Sequence, residues 1–316
     1  MKWKKLGKIF DPAKFDLPFG CFGCSQAPQA LVFDNFVRIY FSLRKADNDG
    51  LLSHIVYIDM DKSFSSIINM SKETVLPLGE TGCFDEHGIF HMNVLRHNDQ
   101  IYGYYSGLNR CASVAIDSAI GLAVSNDDGK TFQKFGKGPV LAQSVYEPFL
   151  IATPFVKIIN GQFHMWYIFG TNWTVYEGGT KPERMYKIGH AVSEDGVTWA
   201  KDNRQIICDR IPYECQALPT VIDINDRYHM LFGYRCAYDF RTNSEKSYRL
   251  GHAYSDDMIN WTRDDASVGI DVSEDSWDSD MMLYPHVFRC DNKIYLMYNG
   301  NEFGKYGFGL AILEDI

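Results

Sequence analysis

The chain has 316 residues, of which 46% are hydrophobic and 15% aromatic, so it has enough apolar material for a sizeable core and no sign of disorder. Its formal net charge of -9 argues against a nucleic-acid-binding surface, which would usually be basic. No apolar run approaches the roughly 20 residues that span a bilayer, and residues 1–10 (MKWKKLGKIF) lack the apolar core of a signal peptide. We therefore expect a soluble, cytoplasmic protein with no nucleic-acid partner and no membrane span.

The cysteine content does not indicate a disulfide-rich or zinc-binding protein. Eight cysteines in a chain of this length are far below the density of a disulfide scaffold, and without an export signal we expect reduced thiols. Cys21 and Cys24 form a CxxC pair, but a four-ligand zinc site would need a second pair at comparable spacing. The pair is interpreted as small apolar side chains in a tight loop.

One sequence pattern is repeated five times along the chain. Each copy contains an apolar strand, a polar turn and a second strand with an aromatic residue at its centre. These central aromatic residues are Phe41, Tyr105, Tyr167, Phe232 and Tyr298. They are 62 to 66 residues apart, and a near-constant period across a whole chain is typical of a repeat architecture.

Two further strands follow in each copy. Residues 187–199 (KIGHAVSEDGVTW) alternate small and apolar side chains, reach a turn at Asp195 and Gly196, and continue into a fourth strand at Trp199. Each repeat is therefore predicted to be a four-stranded antiparallel unit, and five such units predict an all-β, five-bladed β-propeller. We expect a single domain over residues 1–316, with blades at approximately 20–80, 81–142, 143–208, 209–272 and 273–316 plus 1–12.

The two chain ends are predicted to complete one blade together. The last copy stops after its third strand, at Ile316, whereas residues 1–12 have the pattern of a fourth strand, similar to residues 199–207. We expect the N-terminal segment to pair with residues 307–314, which would close the ring and leave no free strand edge there.

Acidic residues precede several of the first strands and are expected to converge on one mouth of the central channel. The catalytic candidates are Glu214, Asp85, Glu86, Glu147 and Asp280, with Asp278 nearby. Clustered acids repel one another, so one can stay protonated while another is ionised, as acid–base chemistry at an acetal requires. A single acid before a strand is more often a solvated or turn-capping group, so the prediction rests on the set of acids rather than on any one of them. Acids in the hairpins between third and fourth strands are assigned to turn chemistry: Asp127, Asp128, Asp195 and Asp256.

A second set of polar and aromatic residues lies near the same mouth, mostly after the second strands. Planar aromatic rings suit sugar rings, and arginine or lysine would suit a phosphate or carboxylate on the ligand. The substrate-binding candidates are Gln26, Arg44, Arg110, Trp173, Arg235, Asn301 and Lys305.

The nine histidines do not form a metal-binding pattern. His54, His190 and His252 share one repeat position, which indicates packing, whereas His91 and His286 lie near the channel. No cofactor or metal is predicted. An ion beside His91 or His286 is an alternative that is not favoured.

The blade pattern, residues 187–199 and above all residues 283–311 (LYPHVFRCDNKIYLMYNGNEFGKYGFGLA) resemble the five-bladed propeller glycosidases of families 32, 43, 68 and 130. They also resemble glycosidase-like proteins of bacterial surface-polysaccharide gene clusters. The resemblance implies that Asp85 matches the second-blade acid and Glu147 the third-blade acid. Glu214 lies in a motif like the Glu-Cys pair of family 32, but on the fourth blade.

The first blade departs from that family pattern, because Gln26, Ala27 and Pro28 stand where the family has Asp-Pro. Hydrolysis usually requires two carboxyl groups flanking the bond. The sequence therefore predicts a carbohydrate-active enzyme that cleaves or transfers a glycosidic bond in polysaccharide synthesis or processing, as a hydrolase, phosphorylase or glycosyltransferase. Glu214 or Glu147 would be the general acid, with Asp85 or Glu86 as its partner, and the ligand would be a carbohydrate or sugar phosphate. The alternative is a non-catalytic propeller that binds a glycan or a protein, which acids paired with basic residues would favour.

Overall fold

The strands of the protein form five separate four-stranded antiparallel sheets. They are seen in a computed structural model that describes residues 1–315. Each sheet is one blade, and its strands are numbered 1 to 4 here from the channel outward. The prediction of an all-β, five-bladed propeller is confirmed.

Blades I to III follow the chain in order. Blade I contains Phe22–Val32, Val37–Asp47, Gly50–Met60 and Ile67–Met70. Blade II contains Ile89–His97, Gln100–Arg110, Ile116–Ser125 and Gln133–Lys134. Blade III contains Ile151–Ile159, Gln162–Thr174, Glu183–Ser193 and Ala200–Lys201.

Blades IV and V complete the ring. Blade IV contains Glu214–Ile224, Arg227–Cys236, Arg249–Ser255 and Thr262–Arg263. Blade V contains Leu283–Cys290, Lys293–Asn299, Phe308–Asp315 and, as strand 4, Lys2–Phe10. The helical segments are single turns at Pro12–Lys14, Pro18–Gly20, Ser244–Lys246, Asp265–Ser267 and Asn301–Gly304. Within residues 1–315, no helix has the length and apolar character needed to cross a membrane.

The N-terminal strand closes the ring as predicted. It pairs antiparallel with strand 3 of blade V, with Lys4 opposite Ile312 and Gly7 opposite Leu310. Trp3 is only 8% exposed and packs into the core between blades IV and V. The first and last segments of the chain thus form one sheet, so that blade V is complete only when both are in place.

Packing explains why small residues recur in strand 3. The aromatic residue at the centre of strand 2 is buried in every blade, and in blades II and IV it lies over a glycine of strand 3. A Cβ at Gly121 would lie 2.3 Å from Cζ of Tyr105, and one at Gly251 would lie 2.5 Å from Cζ of Phe232. Both separations are far shorter than any van der Waals contact, so the aromatic core of these blades requires glycine there.

The hairpins between strands 3 and 4 are held by acidic residues, as predicted. Asp195 accepts hydrogen bonds from the backbone N–H groups of Thr198 and Val197 at 2.7 and 2.8 Å, and these bonds lower its pKa to about 2. In blade IV the equivalent residue is Asp257, which accepts from the N–H of Asn260. The assignment of Asp256 to this role is wrong: its carboxylate forms an ion pair with Arg227 instead.

Each innermost strand contains a bulge beside the channel. The pairing of strands 1 and 2 shifts register in all five blades. In four blades a left-handed residue lies at the shift, directly before a proline: Ala27, Thr153, Leu218 and Tyr284. A bulge redirects side chains and is retained where the surrounding structure enforces it. Here it places Thr153, Leu218 and Tyr284 on the wall of the central pocket.

Replacing Trp3 tests the closure of the ring. Trp3→Ala removes a buried indole and should lower the free energy of unfolding by about 3 kcal/mol, measured by urea denaturation followed by circular dichroism. Lys4→Ala is the matched control, since Lys4 lies on the same strand but is exposed; it should change stability by less than about 0.5 kcal/mol. Equal effects of the two substitutions would contradict a stabilising role for this strand.

Candidate functional site

The central pocket lies at the mouth of the channel and has two adjoining lobes. The smaller lobe, of about 140 Å³, faces blades II and III, and the larger, of about 290 Å³, faces blades I, IV and V. Four residues line both lobes: Arg44, Arg184, Tyr248 and Tyr284. Arg235 and Arg241 add two further guanidinium groups to the larger lobe. The wall of the pocket is therefore rich in positive charge.

Arg235 is buried, and none of the carboxylates that the structure describes is its partner. It is 1% exposed, donates to the hydroxyls of Tyr186 at 2.9 Å and Tyr248 at 3.1 Å, and packs 3.6 Å from the ring centre of Phe240. Burying a charge is costly unless it is compensated. Neutral hydroxyls and an aromatic face satisfy its donors, but the positive charge itself is not neutralised.

Arg44 and Arg184 are also without a carboxylate partner among the described residues. Arg44 donates to the hydroxyl of Ser53. Burial lowers the pKa of Arg44, and the nearby charge of Arg184 acts in the same direction. The guanidinium of Arg184 lies 5.9 Å from the ring centre of Trp173. Arg241 differs, because it forms an ion pair with Glu183 at 2.7 Å.

Several hydroxyl and amide groups accompany this charge. The hydroxyls of Tyr186 and Tyr248 lie 2.7 Å apart. The hydroxyl of Thr153 and the amide oxygen of Gln26 are buried, and neither has a hydrogen-bond partner in the part of the chain that the structure describes. Orphaned polar atoms in a pocket are normally satisfied by water or by a ligand. The pocket therefore suits a ligand that carries both a negative group and hydroxyls.

The predicted acids do not line this pocket. Four acids at or just before the start of a strand 1 are instead buried in ion pairs with the strand 4 of the same blade. The pairs are Asp85 with Lys134 at 2.6 Å, Glu147 with Lys201 at 2.6 Å, Glu214 with Arg263 at 2.6 Å, and Asp278 with Lys5 at 2.7 Å. The expectation that these acids share one pocket is not met. The catalytic roles of these acids stay predictions. Their ion pairs indicate that each of them links the start of its blade to the outermost strand.

Hydrogen bonds complete each of these pairs. In blades II, III and V the strand-2 tyrosine donates its hydroxyl to the acid: Tyr105 to Asp85, Tyr167 to Glu147 and Tyr298 to Asp278. Blade IV has Phe232 at this position, and Glu214 accepts instead from Gln216 and from the backbone N–H groups of Arg210 and Ile211. Burial acts to raise the pKa of Asp278, but the hydrogen bond and charge of Lys5 together with the hydrogen bonds of Ser273 and Tyr298 outweigh it, so that the pKa lies below its usual value.

The other two acidic candidates are also outside the pocket. Glu86 contacts the Nδ1 atom of His87 at 3.2 Å and accepts from the backbone N–H of Gly82. Asp280 is exposed, and its backbone N–H donates to Asn301.

The substrate-binding candidates divide into two groups. Gln26, Arg44 and Arg235 line the central pocket, and Trp173 contacts it through Arg184. The remaining three are engaged elsewhere. Arg110 pairs with Asp47, Asn301 bonds to the backbone around Asp280, and Lys305 pairs with Glu302.

Sequence reasoning missed Arg184, Tyr186, Tyr248 and Tyr284. One signal was present: Tyr186 and Tyr248 each stand three residues before the strand-3 glycine, at Gly189 and Gly251. The signal for the ion pairs was clearer. A cation follows the strand-4 aromatic by two positions in four blades, at Lys5 after Trp3, Lys134 after Phe132, Lys201 after Trp199 and Arg263 after Trp261.

The channel histidines are buried and neutral. Burial lowers the pKa of His91 and of His286 to about 3, and Nδ1 of His91 has no hydrogen-bond partner among residues 1–315. Over the described part of the chain, no group of three or more histidine, cysteine, aspartate or glutamate side chains could hold a metal ion. An ion beside these histidines stays an untested alternative.

A larger groove, of about 970 Å³, lies at the hairpin end of blades III and IV. Its wall includes His164, whose Nδ1 lies 3.1 Å from Nε2 of His190. The other ring nitrogen of His190, Nδ1, contacts Asp202 at 2.9 Å. Blade IV contains an equivalent pair, His229 and His252. Because the histidine pair recurs with the repeat, we assign it to blade packing and place the functional site at the central pocket.

Several solved structures that superpose on this fold are named as glycoside hydrolases. No family model matches the sequence. A family-43 glycoside hydrolase described as thermostable superposes with a TM-score of 0.69 over 94% of this chain and 91% of its own, at 15% identity. BT0996 in its complex with RGII gives a TM-score of 0.72 over 98% and 91%, at 16% identity. A β-fructofuranosidase of Bombyx mori in complex with sucrose gives 0.64 over 92% and 60%, at 15% identity. The resemblance to propeller glycosidases is confirmed at the level of fold.

The sequence relatives define the family more closely. The uncharacterized protein Rv1502 of Mycobacterium tuberculosis is 32% identical over the full length of both chains, and the present chain belongs to the same family. A beta-1,2-mannobiose phosphorylase of Thermoanaerobacter is 34% identical over 111 residues, which cover 32% of this chain and 34% of the phosphorylase. Together with the structural neighbours, this similarity supports a carbohydrate-active function.

The ion pair of Glu147 and Lys201 provides a test of the structural assignment. Glu147→Gln leaves the buried Lys201 without a counter-charge and should lower the free energy of unfolding by about 3 kcal/mol. Lys201→Met should have a similar effect, and the double variant should cost clearly less than the sum of the two. Chemical denaturation of all three variants measures this coupling.

Glu177→Gln is the matched control, because Glu177 is an exposed carboxylate of the same blade. It should leave stability within about 0.5 kcal/mol of the parent. Strictly additive effects of the Glu147 and Lys201 substitutions would contradict the ion pair as the reason for this carboxylate.

Proposed function

We propose that the protein is a carbohydrate-active propeller that binds an anionic sugar in its central pocket, with Arg44, Arg184 and Arg235 as the anion-binding residues. One observation carries the proposal: three guanidinium groups meet at one pocket and none of them has a carboxylate partner among the described residues. A protein of net charge -9 has many acids that could neutralise them. An external anion is the remaining source of compensation.

The pocket offers complementary groups for both parts of such a ligand. A guanidinium group can bind a phosphate or carboxylate through two parallel hydrogen bonds. The hydroxyls of Tyr284 and Thr153 and the amide of Gln26 can bind sugar hydroxyls. Phe90, Leu150 and Ile168 supply apolar surface for the carbon face of a ring.

Transfer to phosphate fits this pocket better than hydrolysis. Two carboxyl groups normally flank the bond in a hydrolase, whereas Glu302 is the one carboxylate among the described lining residues, and it is bound by Lys305 and Tyr306. In phosphorolysis, an oxygen of dihydrogen phosphate would bond to the anomeric carbon as the glycosidic C–O bond breaks. The phosphate proton would pass to the departing sugar oxygen, which gives a sugar 1-phosphate and a shorter glycan. The match to a mannobiose phosphorylase supports this reaction.

A non-catalytic role is the second candidate. It is favoured by a specific observation: the acids that resemble family catalytic residues are buried in ion pairs within their blades. In this case the pocket would bind the anionic glycan without cleaving it. Under either candidate we place the protein in the synthesis or processing of a polysaccharide, in the cytoplasm.

Substitution of Arg184 tests the anion site. The parent protein should bind mannose 1-phosphate at least tenfold more tightly than mannose, measured by isothermal titration calorimetry. Arg184→Gln should weaken binding of the phosphate by about 2 kcal/mol, the usual range for a hydrogen bond to a charged group, with little effect on mannose. Arg227→Gln is the control, since Arg227 lies at the start of strand 2 of blade IV, outside the pocket, and is paired with Asp256.

The anion site would be refuted if the unsubstituted protein bound mannose 1-phosphate no more tightly than mannose, and glucuronate no more tightly than glucose. Phosphorolysis is tested separately, by incubating the protein with β-1,2-mannobiose and inorganic phosphate and assaying mannose 1-phosphate. Turnover that Arg184→Gln abolishes would support the enzyme. Binding of mannose 1-phosphate without turnover would favour the non-catalytic alternative.

A further inference from the structure

Three tyrosines form an aromatic cluster on the rim of the mouth, between blades III and IV. They are Tyr176, Tyr213 and Tyr238, called the tyrosine platform here. The ring centres of Tyr176 and Tyr238 are 4.9 Å apart, those of Tyr213 and Tyr238 are 5.5 Å apart, and those of Tyr176 and Tyr213 are 5.8 Å apart. No residue of the proposed anion site belongs to this cluster.

The platform is not simply part of the hydrophobic core. Tyr213 is 53% exposed, although a large aromatic ring is normally stabilised by burial. Its backbone is left-handed, with a φ of 54°, and this conformation is unfavourable for a residue with a bulky side chain. The carbonyl of Tyr213 accepts a hydrogen bond from the N–H of Ala237 at 2.8 Å, which holds the strained residue in place. Strain of this kind concentrates at functional sites.

An orphaned polar atom lies in the same cluster. The hydroxyl of Tyr176 is buried and has no hydrogen-bond partner within residues 1–315. Such a group costs free energy unless water or a ligand satisfies it. The platform thus combines an exposed aromatic surface with a hydroxyl that is free to bind.

The platform is continuous with the central pocket along two segments. Tyr238 stands two residues before Phe240, which lines the pocket and packs on Arg235. Tyr176 stands three residues after Trp173, whose ring contacts Arg184. Lys246 borders the outer side, with its amino group 4.2 Å from the ring centre of Tyr238. A ligand bound by the arginines can therefore extend over the rim onto the tyrosines.

We propose that the tyrosine platform is a second subsite, which binds an uncharged sugar ring of the same glycan whose anionic unit occupies the central pocket. The ligand is then an oligosaccharide or polysaccharide rather than a single sugar phosphate. This inference rests on the proposed function.

The angles between the rings favour a sugar over a flat base. The planes of Tyr176 and Tyr213 meet at 82°, those of Tyr213 and Tyr238 at 71°, and those of Tyr176 and Tyr238 at 34°. A nucleobase is best held between parallel faces or on a flat one, whereas these rings form a corner. A pyranose can place its C–H face on one ring and direct a hydroxyl toward the buried hydroxyl of Tyr176.

The experiment compares ligands that share the charged group and differ in length. The probes are gluco-, galacto- and manno-oligosaccharides of one to four units, each with a 1-phosphate at the reducing end, and affinity is measured by calorimetry. For the parent protein, affinity should rise at least tenfold with length in one or more of the three series. Tyr213→Ala and Tyr238→Ala should abolish this rise and leave the affinity for the single-unit phosphate unchanged.

Tyr213→Phe is the matched control, because it keeps the ring; it should retain the rise with length. If the parent binds the one-unit phosphate but gains nothing with length, the platform is refuted and the anion site stands. If the parent binds none of the phosphates, the proposed function fails and this inference fails with it. Equal weakening at every length by Tyr213→Ala would make the platform a structural feature. Tighter binding of UDP-glucose or GDP-mannose, lost in Tyr238→Ala, would reassign it to a nucleobase.

Discussion

In blades II to V, the buried ion pair between the acid at or just before the start of strand 1 and the cation on strand 4 is the constraint on which the arrangement of the blade depends. It spans the whole width of a blade, from the loop that leads to the channel to the outermost strand. That strand is only two residues long in blades II, III and IV, so its own backbone hydrogen bonds cannot hold it firmly. A buried pair adds little net stability compared with apolar packing, but removing one partner is strongly destabilising. It therefore fixes the position of a short strand more than it strengthens the fold.

Blade I lacks both members of this ion pair, the acid and the strand-4 cation. Its strand-4 aromatic, Phe64, is followed two positions later by Ser66 rather than by a cation, and no acid precedes its first strand where the other blades have one. Its buried ion pair joins Arg38 of strand 2 to Asp59 of strand 3 at 2.6 Å. The lack of a first-blade acid, which the resemblance to glycosidases presents as the loss of a catalytic group, thus accompanies the lack of its basic partner. An acid without that partner would be an uncompensated buried charge.

The fold could be predicted from the sequence because its determinants are periodic. The aromatic residue of strand 2, the small residues of strand 3 and the turn acid recur at similar spacing along the chain, and Trp3 continues the pattern across the chain ends.

The site could be predicted only in part, because most of its residues do not recur with the period of the repeat. Arg44 and Arg235 lie near the end of strand 2 and could be identified from the sequence. The path of Tyr284 into the pocket depends on a left-handed bulge that leaves little mark in the sequence. The position of the acids could not be predicted for another reason. A carboxylate near the start of a strand can point toward the channel or into its own blade, and the orientation depends on whether a basic residue is available within the blade. In blades II, III and IV that basic residue lies more than 40 residues further along the chain.

The distribution of charge follows from these constraints and determines what the pocket can attract. The chain carries 40 acidic and 31 basic residues, but many of the acids accept hydrogen bonds in turns or form ion pairs on the surface and within four of the blades. The guanidinium groups of Arg44, Arg184 and Arg235, which have no carboxylate partner among the described residues, lie at the channel mouth. A concave site with low-dielectric walls concentrates the field of its own charges, so the mouth can attract anions although the protein as a whole is negative. The scaffold resembles that of enzymes that cleave glycosidic bonds with carboxylates, but the groups facing the ligand here are cations and hydroxyls. Chemistry at this mouth would therefore depend on an anion that the ligand or a co-substrate supplies.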